Sequence, residues 1–144
     1  MSEERYVDPS RANFDVFKAL DRTTPIFMLN KLKFRDKAHY EHGHPLASAS
    51  MTGAEAYAHY GADSGPIFSR VGGSIIWRGR FESTVIGPTD EHWDHVFIAR
   101  YPNASAFLEM VTDPIYKEAV KHRQAAVLTS RLQRFSELEP GATF

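Results

Sequence analysis

Residues 25–34 read PIFMLNKLKF, and within them Ile26, Phe27, Met28 and Leu29 are apolar without a break. A strand with one wetted face alternates apolar and polar residues, because successive side chains point to opposite sides. An unbroken run therefore demands shelter on both faces. Residues 93–101, WDHVFIARY, repeat the demand with Val96, Phe97, Ile98 and Ala99. Residues 74–82, SIIWRGRFE, differ: Ile75, Trp77, Gly79 and Phe81 fall on one face, and Ile76, Arg78, Arg80 and Glu82 on the other. With VLTSRLQRF at 127–135 as a fourth strand, two of the strands belong in the middle of a sheet.

Helix signals separate these strands. Asp8 followed by Pro9 reads as an N-cap and first helical position, and Phe14, Phe17 and Leu20 then recur at three-residue spacing. TGAE at 52–55 is a capping box that starts a second helix, which Gly61 and then Gly65-Pro66 should break. Pro102-Asn103 opens a short helix, and Asp113-Pro114 caps another that runs to about Ala126. From residue 25 onward the order is strand, helix, strand, strand, helix, strand. A faint internal echo matches GAEAY at 53–57 with NASAF at 103–107, and PIF at 66–68 with PIY at 114–116. These segments fall where a ferredoxin-like βαββαβ domain, built from two βαβ halves, places its helices.

An α+β fold of this kind has a four-stranded antiparallel sheet with helices on one face only. The far side of the two inner strands then needs a cover, either the N-terminal helix or the same face of a second copy. A self-complementary two-fold contact closes a dimeric α/β barrel, so a homodimer through the open sheet face is expected. The chain divides into an N-terminal helical extension (1–24), the barrel-forming domain (25–136) and a polar tail (137–144).

Composition narrows the partners. With 144 residues, 42% of them hydrophobic, the chain suits one domain with a real core. Lys and Arg number 17 against 18 Asp and Glu, without blocks of either sign, so neither a nucleic acid nor a membrane surface is expected as partner. The absence of cysteine removes disulfides, thiolate zinc sites and cysteine nucleophiles. The first 24 residues lack an apolar signal region, and no apolar run approaches about 18 residues. A cytoplasmic protein is the expectation.

Taken with that order of elements, RVGGSIIWRGRFE, DHVFIARYPNASAF and DPIYKEAVKHRQAA resemble the bacterial family called domain of unknown function 1330. The matching marks are Gly72-Gly73 before a strand, Tyr101-Pro102 ending the third strand, and Arg123 late in the last helix. The likeness covers roughly residues 25–135. The N-terminal helix and the insertion holding HYEHGH (39–44) depart from it. It implies the dimeric α/β-barrel superfold and a dimer, without a reaction. Relatives on that superfold include cofactor-free monooxygenases, lactone isomerases and haem-dependent enzymes, so fold alone selects none of them.

The candidate site comes from residue placement. On a helical projection Arg123 falls within the apolar arc of Ile115, Tyr116, Ala119, Val120, Ala126 and Val127. A guanidinium there needs an anion or several acceptors. Asp94 or Glu82 would make it structural, and a ligand carboxylate or enolate would make it functional. Tyr57 shares its helix's inner arc with Ala54 and Ala58, with Tyr60 at the edge and His59 pointing away. Trp93, His95, Phe97 and Ala99 share one strand face, and His95 has the intrinsic pKa of a general base. Asn30 is the first polar residue after the run on the opening strand. The site read from sequence is therefore His95 and Arg123 as catalytic candidates, with Asn30, Tyr57 and Trp93 beside Arg123 as ligand-binding ones. The loop HYEHGH lacks the helical pairing of HExxH and any rigid support, so no metal is expected there.

No cofactor is expected, and three readings stand. The first is a small-molecule-binding homodimer, in its catalytic form a cofactor-independent enzyme of oxygenase or isomerase type, acting on a small acidic or carbonyl compound. The second is a non-catalytic structural or ligand-binding dimer. The third is haem chemistry, for which Asn30 and His122 are the pointers.

Overall fold

A computed structural model describes residues 5–144. The elements run α1 (Arg11–Ala19), β1 (Ile26–Phe34), α2 (Gly53–Arg70), β2 (Ser74–Gly79), β3 (His95–Tyr101), α3 (Ala104–Thr112), α4 (Pro114–Ala126) and β4 (Val127–Phe135). The strands form one antiparallel sheet in the order β2-β3-β1-β4, so β1 and β3 are the inner strands and the fold is ferredoxin-like. Residues 1–4 of the expected N-terminal extension lie outside the described residues. Among the described residues no helix is long and apolar enough to cross a membrane.

Register assigns the two faces. Met28 lies opposite Ala99 and Arg134, and Leu32 opposite His95 and Ser130, so these residues share the helix-covered face. There Ile26, Met28, Leu32, Ala99 and Tyr101 are buried beneath α2, α3 and α4. Each fully buried aliphatic side chain, such as Ile26 and Leu32, contributes about 1.5–3 kcal/mol. The opposite face carries Phe27, Leu29, Val96 and Ile98, with Phe135 paired to Phe27. Phe27, Leu29, Ile98 and Phe135 surround an uncovered apolar depression of about 240 Å³.

The leading helix does not cover that depression. Phe14 and Phe17 of α1 pack against the apolar cluster on the helix-covered side, with the Phe17 ring 5.1 Å from that of Phe107. Arg134, also on that side, donates to the Asp21 carbonyl at 2.5 Å and stacks on Phe17 at 5.1 Å. Ahead of α1, the chain runs beside the outer edge of β4, where Ser130 N–H donates to the Tyr6 carbonyl at 2.7 Å. An edge open to further strands is thereby partly closed.

Several local expectations change. The cap of α1 is Ser10, whose side chain accepts from Asn13 N–H, while Asp8 accepts from Gln124 at 3.1 Å. Helix α2 runs unbroken through Gly61 and Pro66. Its Thr52–Glu55 capping box holds one end, and Ile67 and Val71 are buried at the other, so packing against the sheet overrides the proline's missing donor. The buried line of α2 is Gly53, Ala56, Ser64 and Ile67, leaving Ala54 and Ala58 exposed. On α4, Ile115 is exposed rather than interior.

The alternation expected of residues 74–82 also fails. A register shift between Ile75 and Trp77 puts Ile75 opposite Ala99 and Trp77 opposite Ile98, on different faces, and the strand ends at Gly79. One extra residue in a strand has this effect. Trp77, 52% exposed, therefore joins the uncovered face.

Gly53 sits where backbones cross: a Cβ there would lie 2.2 Å from the Arg35 carbonyl and 2.8 Å from that of Ala126. Gly53→Ala is expected to lower stability by about 1–3 kcal/mol, read as the urea midpoint. Gly61, within the same helix and with open space around it, gives the opposite result: Gly61→Ala should gain about 0.5–1 kcal/mol.

Candidate functional site between the helices and the sheet

The covered layer is divided into two apolar clusters. One gathers Ile26, Met28, Ile67, Tyr101, Phe107 and Tyr116, the other Leu32, Tyr40, Ala56, Ala125 and Val127, and Phe97 touches both. The seam between them is polar. Asn30 faces it from β1, partly buried, its side-chain N–H donating to the Met28 carbonyl at 3.0 Å. Its register partner Leu132 is 41% exposed although it faces the helix side, so the cover is thin there.

Tyrosines from α2 and α4 form the opposite wall. Tyr57 lies 5.3 Å from Tyr60 and 6.0 Å from His95, ring centre to ring centre. The Tyr60 and Tyr116 hydroxyls share a hydrogen bond of 2.8 Å. Burial raises the pKa of all three phenols, an effect that the nearby Arg123 charge opposes. They are neutral hydrogen-bond donors at any physiological pH. His95 is pushed below its usual range by burial and by the Arg78 charge, which leaves its imidazole neutral at pH 7. Neutral imidazole is the form that takes a proton.

Arg123 has neither expected carboxylate beside it. Its guanidinium donates to the Val7 carbonyl and to the Ser130 hydroxyl, the latter at 3.2 Å. Ser130 Oγ in turn donates to the Tyr6 carbonyl at 2.8 Å. Asp94 is occupied elsewhere, accepting from Phe34 N–H at 2.8 Å. Arg123 thus ties α4 to β4 and to the chain ahead of α1, an arrangement that sequence spacing does not reveal.

Trp93 leaves the group. It lies outside β3, and its ring packs 5.3 Å from the Arg131 guanidinium, which also stacks on Tyr6 at 4.8 Å. Arg131 pairs with Lys31 on the uncovered face, so Trp93 contacts the side of the sheet opposite Asn30 and His95. Alternation carried back beyond the strand's first residue misplaced it. Tyr60 and Tyr116, by contrast, belong to the seam. His122 cannot act as a haem ligand as it stands, because Nδ1 meets the Tyr40 hydroxyl at 2.6 Å and Nε2 meets Asp63 at 3.2 Å. A second depression, of about 490 Å³, is lined by Phe34, Arg35, Asp36, Thr52, Ala54 and Asp94, and does not include Arg123.

Comparison with known proteins adds a family and a fold. The family model described as domain of unknown function 1330 matches residues 42–132, a stretch that takes in part of HYEHGH and leaves α1 and β1 outside. A crystal structure of RPA0582, a protein of unknown function from Rhodopseudomonas palustris, is 55% identical, with a TM-score of 0.87 over 95% of this chain and 100% of that one. SnoaB, a cofactor-independent oxygenase from Streptomyces nogalater, is 18% identical, with a TM-score of 0.51 over 83% of this chain and 99% of that one. A putative antibiotic biosynthesis monooxygenase from Bacteroides thetaiotaomicron is 14% identical, with a TM-score of 0.50 over 84% and 96%. The last two are likenesses of fold. No curated protein matches the chain.

Acid should weaken the fold through the histidines. Burial lowers the pKa of His95 and His122 in the folded chain, so the unfolded chain takes up their protons first as pH falls through about 6.5. Stability is then highest above that value and declines below it. Asp21, Glu55 and Asp113, held below the usual carboxylate range by local hydrogen bonds, act only at lower pH. Urea midpoints between pH 7.5 and 5.5 should fall, and the fall should shrink in His95→Gln.

Proposed function

Because the chain belongs to the domain of unknown function 1330 family, whose description carries no reaction, we propose a function from geometry: a homodimer that binds a small acidic or carbonyl compound in the polar seam. One observation carries this reading. Apolar groups (Phe27, Leu29, Trp77, Ile98, Phe135) stand on the outside of the sheet, while polar ones (Asn30, Tyr57, His95, Arg123) stand inside the covered layer. A protein that functions alone gains nothing from the outer set. A purely structural core gains little from the inner set.

In this reading residues 25–136 form the dimer, with 1–24 an extension whose helix α1 lies on the covered side and 137–144 a tail. Asn30 and Tyr57 donate to a carbonyl or carboxylate oxygen, and Arg123 adds positive charge behind them. His95 is the proton acceptor for cofactor-independent chemistry on such a compound. Trp93, stacked on Arg131, belongs with the dimer contact instead.

The hydrogen bonds of Arg123 to Val7 and Ser130 favour a second reading, a non-catalytic dimer in which the seam is structural. Thermal shifts with a panel of small carboxylates and enolisable ketones separate the two. The binding reading expects a compound that raises Tm in the wild type and fails to do so in Tyr57→Phe and Arg123→Met. The structural reading expects no shift from any compound, with Arg123→Met simply less stable. Light scattering tests the dimer: twice the 16.3 kDa chain mass is expected at micromolar concentration, and Leu29→Glu should halve it. A wild-type monomer would overturn that part.

A further inference from the structure

Strand register draws one row of side chains across the covered face. Arg78 of β2 lies opposite Phe97 of β3, Phe97 opposite Asn30 of β1, and Asn30 opposite Leu132 of β4. The register shift between Ile75 and Trp77 is what turns Arg78 to this side. Neighbouring strands stand roughly 4.8 Å apart, so roughly 10 Å of sheet separates Arg78 from Asn30, with Phe97 between them. His95 flanks the middle of the row, its ring 5.0 Å from that of Phe97 and 6.0 Å from that of Tyr57.

Three polar groups along this row are unused. The Tyr40 hydroxyl meets His122, those of Tyr60 and Tyr116 meet each other, and that of Tyr101 meets the Met110 sulfur. Among the described residues the Tyr57 hydroxyl, the ring nitrogens of His95 and the Arg78 guanidinium have no hydrogen-bond or ion-pair partner. Arg123, by contrast, is tied to Val7 and Ser130. Asn30 gives one side-chain N–H to the Met28 carbonyl and keeps its second. Asn30, Tyr57, His95 and Phe97 are partly buried and Arg78 is exposed, so the row opens to solvent at β2.

Resting on the binding reading above, we propose that the compound is a 3-oxo carboxylate, its carboxylate held by Arg78, its keto oxygen by Tyr57 and Asn30, and its C2–H presented to His95. A guanidinium takes a carboxylate through two parallel N–H···O bonds, which suits the open end of the row. Phe97 supports the carbon chain between the two oxygen-bearing ends. The C2–H is acidic because its electron pair can pass into the neighbouring carbonyl. His95 takes the proton on its unprotonated ring nitrogen, the C–H pair becomes the C2–C3 double bond, and the carbonyl π pair moves onto oxygen, where Tyr57 and Asn30 stabilise it. Arg78 offsets the carboxylate charge that would otherwise oppose the new enolate charge. Return of the proton to C2 or to oxygen completes the step without an oxidant.

Calorimetry of the full chain with benzoylacetate, its methyl ester and acetophenone tests the assignment. Benzoylacetate should bind about tenfold more tightly than the ester. Arg78→Gln should abolish that preference and Arg78→Lys keep part of it, while Arg11→Gln, which removes the same charge from α1, should leave it intact. Proton NMR in deuterium oxide reads the chemistry: the wild type should speed loss of the C2 hydrogen signal, and His95→Gln should stop this while benzoylacetate still binds. An ester bound as tightly as the acid, or a preference that survives Arg78→Gln, would overturn the carboxylate and Arg78 and leave the small-molecule reading standing. Bound benzoylacetate that exchanges no faster than in buffer would overturn the part given to His95. Binding of none of the three would overturn this inference, and the wider thermal-shift panel then decides separately on the reading beneath it. Arg78 is exposed, so its variants should fold, which circular dichroism checks.

Discussion

The structure depends on two inner strands that are apolar on both sides in a fold that supplies helices to only one. On the covered side, Ile26, Met28, Leu32, Ala99 and Tyr101 draw α2, α3 and α4 onto the sheet and set the register of β1 against β3. On the far side, Phe27, Leu29, Ile98 and Phe135 keep their water. Each such side chain gains about 1.5–3 kcal/mol when fully buried, so this face favours association over solvation. Lys31, Lys33, Arg100 and Arg131 share this face, Arg100 lying over the Phe27 ring, and they oppose any pairing that stacks like charges.

The same constraint shapes the covered layer. With apolar residues spent on both sides of β1 and β3, the space between the two clusters is filled by Asn30, Tyr57, Tyr60, His95 and Arg123. Asn30 and Arg123 donate to backbone carbonyls, Arg123 also to Ser130, and Tyr60 shares its hydroxyl with Tyr116. Arg123 joins α4 to the chain ahead of α1, which makes it a structural tie whatever else it touches. The likeness to SnoaB is one of fold and brings no reaction to this chain, since at 18% identity only the fold carries over.

Much of this was legible in the sequence where the cause is local. The Thr52–Glu55 box and the Asp113-Pro114 start lie within one turn of the helices they begin, and both appear as expected. The unbroken run in β1 marked an inner strand because sheet alternation has a fixed period. What was missed has non-local causes. Continuation of α2 through Pro66 depends on burying Ile67 and Val71. The bulge at Ile76 reverses the faces of β2, and nothing within residues 74–79 announces it. Tyr6 and Val7 meet Ser130 and Arg123 only after the chain has folded back on itself. The histidines tell the same story: of the three in HYEHGH only His44 joins the ring contacts, and it meets His122, which stacks on His59, from a separate segment.

Hydroxyl-radical footprinting across a dilution series reads the uncovered sheet face most directly. Phe27, Leu29, Trp77, Ile98 and Phe135 should be protected at high concentration and lose that protection together on dilution, while Val85 and Ile86, 92% and 94% exposed, react fully as the internal standard. Oxidation of the five at the level of their single-chain exposure, independent of concentration, would mean that no second copy covers the sheet.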